Sequence, residues 1–334
     1  MLSGMTALAA PATRVGWDRH LALGALVLGA AAMGVSPLFV RIASAEIGPF
    51  ASAFGRVLFG LPLLYVWARL EPAPEGGRLF SRGAVLAGLA FTGDLFFWHL
   101  SILATTVANA TFFATTAPVF VVLITALVFR TRVPVATFAG LGLCLAGGAA
   151  LIGESMSVAP EHTLGDLYGL ATALFFGLYF LAVADARRRG GPGRVTFALT
   201  LVTAAILLVV ALVLDHGRFW PRGGGVWLAL VSLGALSHAG GQGLLSVALG
   251  RLPAVFSSLV IFLEAVVAAL AGWVVLGEAL GPAQYLGGAL ILIGIWVARP
   301  RRRQATATGG RGPTKGSTPG AISRTNEVGA ADSE

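Results

Sequence analysis

The sequence predicts an all-α membrane protein of ten transmembrane helices, arranged as two inverted five-helix repeats. Three observations predict it. The first is composition: 56% of the 334 residues are hydrophobic and 11% are charged, and the mean hydropathy is +0.83. A soluble domain carries about 25% charged residues, so most of this chain belongs in lipid. The second is segmentation. The apolar residues fall into ten runs of 17 to 24 residues, and a helix needs roughly 20 such residues to cross a hydrocarbon core of about 30 Å. The third is internal repetition. A displacement of 147 residues lays Gly93 on Gly240, Val119 on Val266, Val128 on Val275, Gly140 on Gly287, Leu143 on Leu290 and Gly147 on Gly294. Shared apolar composition explains single matches; three glycines at one offset, in the third and fifth helices of each half, point to duplication. Five helices per half means that the halves insert with opposite topology, as in many secondary transporters.

Residues 1–20 are small, polar and weakly basic and read as a cytoplasmic segment. The run 21–40 is too long for the apolar region of a signal peptide, so it is a retained first helix. The first repeat, 21–152, holds runs 21–40, 50–68, 83–103, 107–129 and 134–152. The second, 164–298, holds runs 164–184, 195–214, 226–249, 254–276 and 282–298. The breaks are polar stretches that lipid does not accept: 71–78, 154–166 and 185–194. The tail, 299–334, is basic and rich in Gly, Thr, Ser and Pro; it is expected to be disordered, with its arginines against anionic headgroups.

Arginine placement orients the chain. With the N-terminus inside, the inner loops hold Arg69, Arg78, Arg82, Arg130, Arg132, Arg187, Arg188, Arg189, Arg194 and Arg251. The outer loops then hold Arg41, Arg218 and Arg222. Both termini are expected in the cytoplasm. The net charge of +8 is explained by helix ends, and no nucleic-acid partner is expected. The one cysteine, Cys144, permits no intramolecular disulfide.

Three ionisable side chains fall near the middle of their runs: Asp94, His238 and Glu264. Each is some 15–18 Å deep at about 1.5 Å per residue. A charged group at the bilayer centre costs about 2.5–3.5 kcal/mol on the lenient scale, so such residues are functional candidates, the alternative being a buried pair that fixes packing. His238, Gln242 and Ser246 are spaced i, i+4, i+8 and form one stripe. Asn109, Phe112, Phe113 and Thr116 share a face of the fourth run, and Ser257 shares one with Glu264. Asp94 and Trp98 align, whereas His99 points about 140° away from Asp94. The substrate path or coupling candidates are therefore Glu264, Asp94, His238, Gln242, Asn109, Trp98 and His99. Arg56 is read as reaching an acid or the interface. Pro118 is a kink or hinge candidate, and Gly277 and Glu278 are read as structural residues at a helix end. No Walker loop, HExxH, CxxC or GxSxG is present, so no enzyme, cofactor or metal site is expected.

Several motifs sit together in the second repeat: Ala248-Leu249 and Pro253 before a helix, Leu263-Glu264 in its middle, Leu276-Gly277-Glu278 at its end, then Gly287 and Gly294. In these the chain resembles the drug/metabolite transporter superfamily, in its EamA-type bacterial branch, over roughly residues 21–298. Family members usually read Leu-Glu-Pro where this chain has Leu263-Glu264-Ala265. Ala117-Pro118-Val119 supplies the proline in the first repeat without the acid, and Arg130-Thr131-Arg132 replaces the usual Gly-Glu after the fourth helix.

The resemblance implies a secondary transporter in the bacterial inner (plasma) membrane, moving a small metabolite such as an amino acid or a similar polar or cationic compound. Export by alternating access is the first expectation, with the cavity lined by helices three, four, eight and nine. Glu264, with Asp94, is expected to bind the substrate's cationic group or a coupling proton. The alternatives are an importer of the same fold and a non-transporting sensor or scaffold.

Overall fold

Helices end where polar or proline-containing stretches end the apolar runs. The structure, a computed structural model, describes residues 17–72, 78–153, 160–216, 218–276 and 281–300. Residues 301–334 of the expected disordered tail, most of residues 1–20, and Gly277 and Glu278 lie outside the described residues.

The first five crossings are α1 (Arg19–Ile47), α2 (Pro49–Leu70), α3 (Arg82–Ala104), α4 (Val107–Val128) and α5 (Val135–Ile152). The second five are α6 (Pro160–Ala186), α7 (Pro192–Leu214), α8 (Gly224–Leu249), α9 (Ala254–Ala271) and α10 (Pro282–Ala298). Among the described residues nine of these are at least 18 residues long. The tenth, α10, has 17 residues, which cover about 26 Å and lie at the short end of the spanning range. The first helix outruns its apolar run. Residues 41–47 continue it because Val40, Ala43, Ser44 and Ile47 are buried at helical spacing while Arg41, Ile42 and Ala45 are exposed.

The exterior is the apolar side. Leu21, Leu28, Val66, Leu70, Val213, Val274 and Leu286 are exposed, while Ser52, Thr196, Thr200, Thr203, Ser237, Ser257 and Ser258 are fully buried. Lipid gives helices no hydrophobic reason to associate, so small and hydroxyl-bearing side chains make the contacts instead. Thr203 of α7 shows this: its hydroxyl lies 3.0 Å from Gly88 O on α3 and 3.0 Å from its own Leu199 O.

The duplicated glycines have a direct structural meaning. A Cβ on Gly287 would stand 2.6 Å from Gly147 O, and one on Gly294 would stand 2.7 Å from Gly140 O. Helices α5 and α10, the fifth of each repeat, therefore touch backbone to backbone. Exchanging the two repeats turns one glycine contact into the other. The same exchange relates the ends of α2 and α7. Glu71, just past α2, accepts from the Gly193 and Arg194 N–H groups at 2.7 and 3.1 Å, at the start of α7. Asp215, just past α7, accepts from Ala51 N–H at 2.6 Å, at the start of α2. Each acid satisfies donors that the first turn of a helix leaves free.

Four crossings depart from regular α geometry. Helix α1 breaks at Val35; Pro37 has no N–H for Met33 O, and the Ser36 hydroxyl donates to that carbonyl at 2.6 Å. Helix α4 breaks at Thr116, ahead of Pro118, and the Thr115 and Thr116 hydroxyls donate to Phe112 O and Phe113 O at 2.8 and 2.6 Å. Helix α9 breaks at Ile261–Phe262 with no proline, through tight bonds such as Phe262 N–H to Leu259 O at 3.2 Å. Helix α8 widens to a π-helix over Leu233–Gln242. A second, five-residue π turn ends α4 at Ile124–Val128. Such irregular backbone is tolerated at membrane depth where protein or a cavity covers it.

Candidate functional site

The site begins on one face of α3. Phe91, Asp94 and Trp98 are spaced i, i+3, i+7 and so share that face. Arg56 of α2 lies against it, with Cζ 5.9 Å from the Phe91 ring centroid and 5.4 Å from that of Trp98. Both distances suit cation–π attraction. Arg56 Nη2 donates to Ser237 Oγ of α8 at 3.1 Å, and its Nε is buried without a partner. From α9, Glu264 follows the break at Ile261–Phe262, and its Oε1 is buried without a partner. From α8, Gln242 ends the π segment, and its Oε1 is likewise unpartnered.

Arg56, Asp94, Gln242 and Glu264 line one cavity of about 30 Å³, with Trp98 and Phe176 as aromatic wall. Met33 and Ser36 of α1, Ala114 of α4 and Thr172 of α6 complete it. Three of the breaks and the π segment therefore adjoin one space. Met33 and Ser36 flank Val35, Ala114 precedes Thr116, and Glu264 follows Phe262. A volume of that size has room for about two waters and is far below that of a metabolite pocket, so in this conformation the site is too narrow for a metabolite. Among the described residues no basic nitrogen lies within 4 Å of either Asp94 or Glu264. One guanidinium and two carboxyl groups thus share a buried space without pairing directly.

The other residues singled out in the sequence lie elsewhere. His238 sits behind the wall: its Nε2 hydrogen-bonds with Thr200 Oγ1 at 2.9 Å and its ring stacks on Phe91 at 5.3 Å. His99 Nδ1 hydrogen-bonds with Leu95 O at 2.8 Å, away from Asp94, as its spacing predicts. Asn109 belongs to a helix-end network. It donates to Asp166 Oδ1 at 3.0 Å and accepts from Thr106 Oγ1 at 3.0 Å, while Thr105 donates to the same Asp166 oxygen at 2.9 Å. Ser246 donates to Pro192 O at 3.4 Å, so the His238, Gln242 and Ser246 stripe serves three different neighbours. Pro118 marks the break in α4 but does not line the cavity. Helices α1, α2 and α6 join the four expected around the cavity.

Arg56, expected from the sequence to reach an acid or the interface, lies at the cavity beside Asp94 and Glu264. It lies seven residues into α2, about 10 Å from its start, is 3% exposed, and faces the cavity rather than the interface. The signal was available: an ionisable residue well inside an apolar run is a functional candidate whatever its sign.

Outside the crossings, charge is spent on helix ends. Arg187 Nε donates to Ser246 O at 2.8 Å, and burial lowers its guanidinium to about 10 against the upward pull of Glu71. Burial likewise raises the Asp215 carboxyl, against the pull of the Ala51 and Phe50 amides and of Arg218.

The chain matches the EamA-like transporter family over residues 20–153 and again over 163–299, one match per repeat. It is 30% identical to an uncharacterized transporter of Archaeoglobus fulgidus, over 84% of this chain and 98% of that one. It is 25% identical to the uncharacterized transporter YcxC of Bacillus subtilis, over 81% of this chain and 90% of that one. A shorter similarity, 32% identity over 145 residues, covers 42% of this chain and 49% of the aromatic amino acid exporter YddG of Ancylobacter novellus. One solved crystal structure, 22% identical, superposes with a TM-score of 0.68 over 84% of this chain and 96% of that one, a likeness of fold. With both halves of the helical region matched, the chain belongs to the EamA-like transporter family, within the drug/metabolite transporter superfamily.

Proposed function

We propose that this protein is a secondary transporter that exports a small metabolite, an amino acid or a similar polar or cationic compound, across the bacterial inner membrane by alternating access. The observation that carries the proposal is the narrow cavity in which Arg56, Asp94, Gln242 and Glu264, from four different helices, meet without direct pairing. Burying unpaired charge is costly, and a protein that needed these groups for packing alone would close them into contact. Left apart, they are available to something that enters. Glu264 and Asp94 would hold a cationic group of the substrate or a coupling proton. The two repeats, 21–152 and 164–298, would rock around the cavity, using the breaks in α1, α4 and α9 as the places where backbone geometry changes. The arginine bias of the loops supports cytoplasmic termini. Export is favoured because a relative over part of the chain is named an exporter.

The test compares spent-medium metabolites from cells lacking the protein, overproducing it, or overproducing Glu264→Gln. A small molecule that rises with the intact protein and not with the variant, at equal amounts of folded protein, is the expected result. A charge-assisted hydrogen bond is worth about 1.5–3 kcal/mol, so the loss should be roughly 10- to 100-fold. Normal export by Glu264→Gln would remove that residue from the mechanism.

A further inference from the structure

We propose that Arg56 is the anion-binding group of this cavity, so that the molecule carried is a compact zwitterion, its carboxylate on Arg56 and its ammonium on Asp94 or Glu264. The inference rests on the transporter reading and narrows it from polar or cationic compounds to those bearing both charges.

Arg56 is held in place from two neighbouring helices. A guanidinium presents five N–H donors in a rigid fork that matches a carboxylate bidentately. One nitrogen of Arg56 is used, in the bond to Ser237 Oγ at 3.1 Å, while Nε is buried without a partner on a residue 3% exposed. The rings of Phe91 and Trp98 and the Ser237 hydroxyl together fix the side chain from α3 and α8. That support keeps the fork at the cavity instead of letting it collapse onto an acid. A counter-ion whose task was to neutralise Asp94 or Glu264 would be drawn into contact, because buried charges are stable only when closely paired. Here neither acid lies within 4 Å of it.

Charge then selects the occupant. A simple cation would satisfy an acid but leave the Arg56 fork facing a like charge. A simple anion would satisfy Arg56 and face two carboxyl groups. An uncharged molecule would leave all three groups with weaker partners. A zwitterion gives each end its complement. It is neutral overall and uses one acid, so the second acid is left to take a coupling proton. Trp98, Phe176 and Met33 supply the apolar remainder of the wall, which suits an apolar side chain on the same molecule.

The experiment measures thermal unfolding of the full chain in nanodiscs against a panel of amino acids, each paired with the amine lacking its carboxylate. At least one amino acid should raise the unfolding midpoint of the intact protein, with its amine binding at least tenfold more weakly. Arg56→Gln should weaken the amino acid at least tenfold and leave the amine unchanged. Arg56→Lys should be intermediate, because an ammonium replaces the charge but not the fork. The paired comparison on the intact protein stands even if Arg56→Gln does not fold. Amines binding as tightly as their parent amino acids, or an amino acid indifferent to Arg56→Gln, would overturn the role of Arg56 and leave transport standing. Stabilisation by no amino acid would also overturn it. The transporter reading is judged separately, by the spent-medium comparison.

Discussion

Two sets of acids occupy this molecule, and they are used in opposite ways. At the helix ends, Glu71 and Asp215 accept backbone N–H groups at 2.6–3.1 Å. At the centre, Asp94 and Glu264 face a cavity and meet no basic nitrogen within 4 Å. The end acids are also reciprocal, at a spacing of 144 residues where the glycines keep 147: Glu71 closes the start of α7, and Asp215 closes the start of α2. The central acids are not. A displacement of 147 residues puts Asp94 on Gly241 and Glu264 on Ala117. Both halves need the same device to seat their second helix, and both have it. A binding site needs its charges once, around one substrate, so there the halves diverged.

On that contrast, Asp94→Asn should give a larger functional effect than any change to an end acid. Transport should fall roughly 10- to 100-fold, the worth of one charge-assisted hydrogen bond, while the unfolding midpoint stays the same or rises because a buried unpaired charge has been removed. A fall in stability with transport intact would mean that Asp94 is a packing group after all. The end acids should show the reverse. Glu71→Ala removes the acceptor for two N–H groups and should cost about 1–2 kcal/mol, as other helix caps do, with residual transport per folded molecule unchanged. Asp215→Ala should cost about 1 kcal/mol. Asp215→Asn should cost less, because it keeps an acceptor and relieves the burial of a carboxylate. Thermal unfolding of purified protein, set beside transport by the same variants, separates the two classes.

How far the sequence could see follows from the same contrast. The ten crossings, the repeat and the glycine register were legible because each is a property of one helix or of a linear offset. Asp94, Gln242, Glu264 and Trp98 were legible as candidates because a polar residue inside an apolar run stands out by itself. What the sequence could not supply is rotation of one helix against another. That decides why Arg56 meets the cavity, why His238 turns to Thr200 and Phe91 behind it, and why Asn109 joins Asp166 at a helix end. The i, i+4, i+8 stripe of α8 misled for a related reason: the π segment from Leu233 to Gln242 changes the residues per turn. Ser257 and Glu264 are likewise separated by the break at Ile261–Phe262.

The smallest expected effect tests that break. In α4, Pro118 and two threonine hydroxyls account for the interruption. In α9 the equivalent position is Ala265, yet the helix is interrupted anyway, held by Ile261 N–H to Ser258 O at 3.1 Å and Glu264 N–H to Ile261 O at 2.8 Å. Backbone bonds of this kind leave the Glu264 side chain free of structural duty, which is why its carboxyl can face the cavity. Proline in the interior of a regular helix costs about 3 kcal/mol or more, because it removes a hydrogen bond and clashes with the preceding turn. Ala265→Pro should cost about 1 kcal/mol or less. The ring would fall in the first turn of a segment that already begins at Leu263, and the bond lost would be the one Ala265 N–H makes to Phe262 O at 3.2 Å. Transport should persist. A full interior-proline penalty in thermal unfolding would show that α9 is continuous past Glu264. Glu264 would then be placed by an ordinary helix turn, and the freedom of its carboxyl would need another cause.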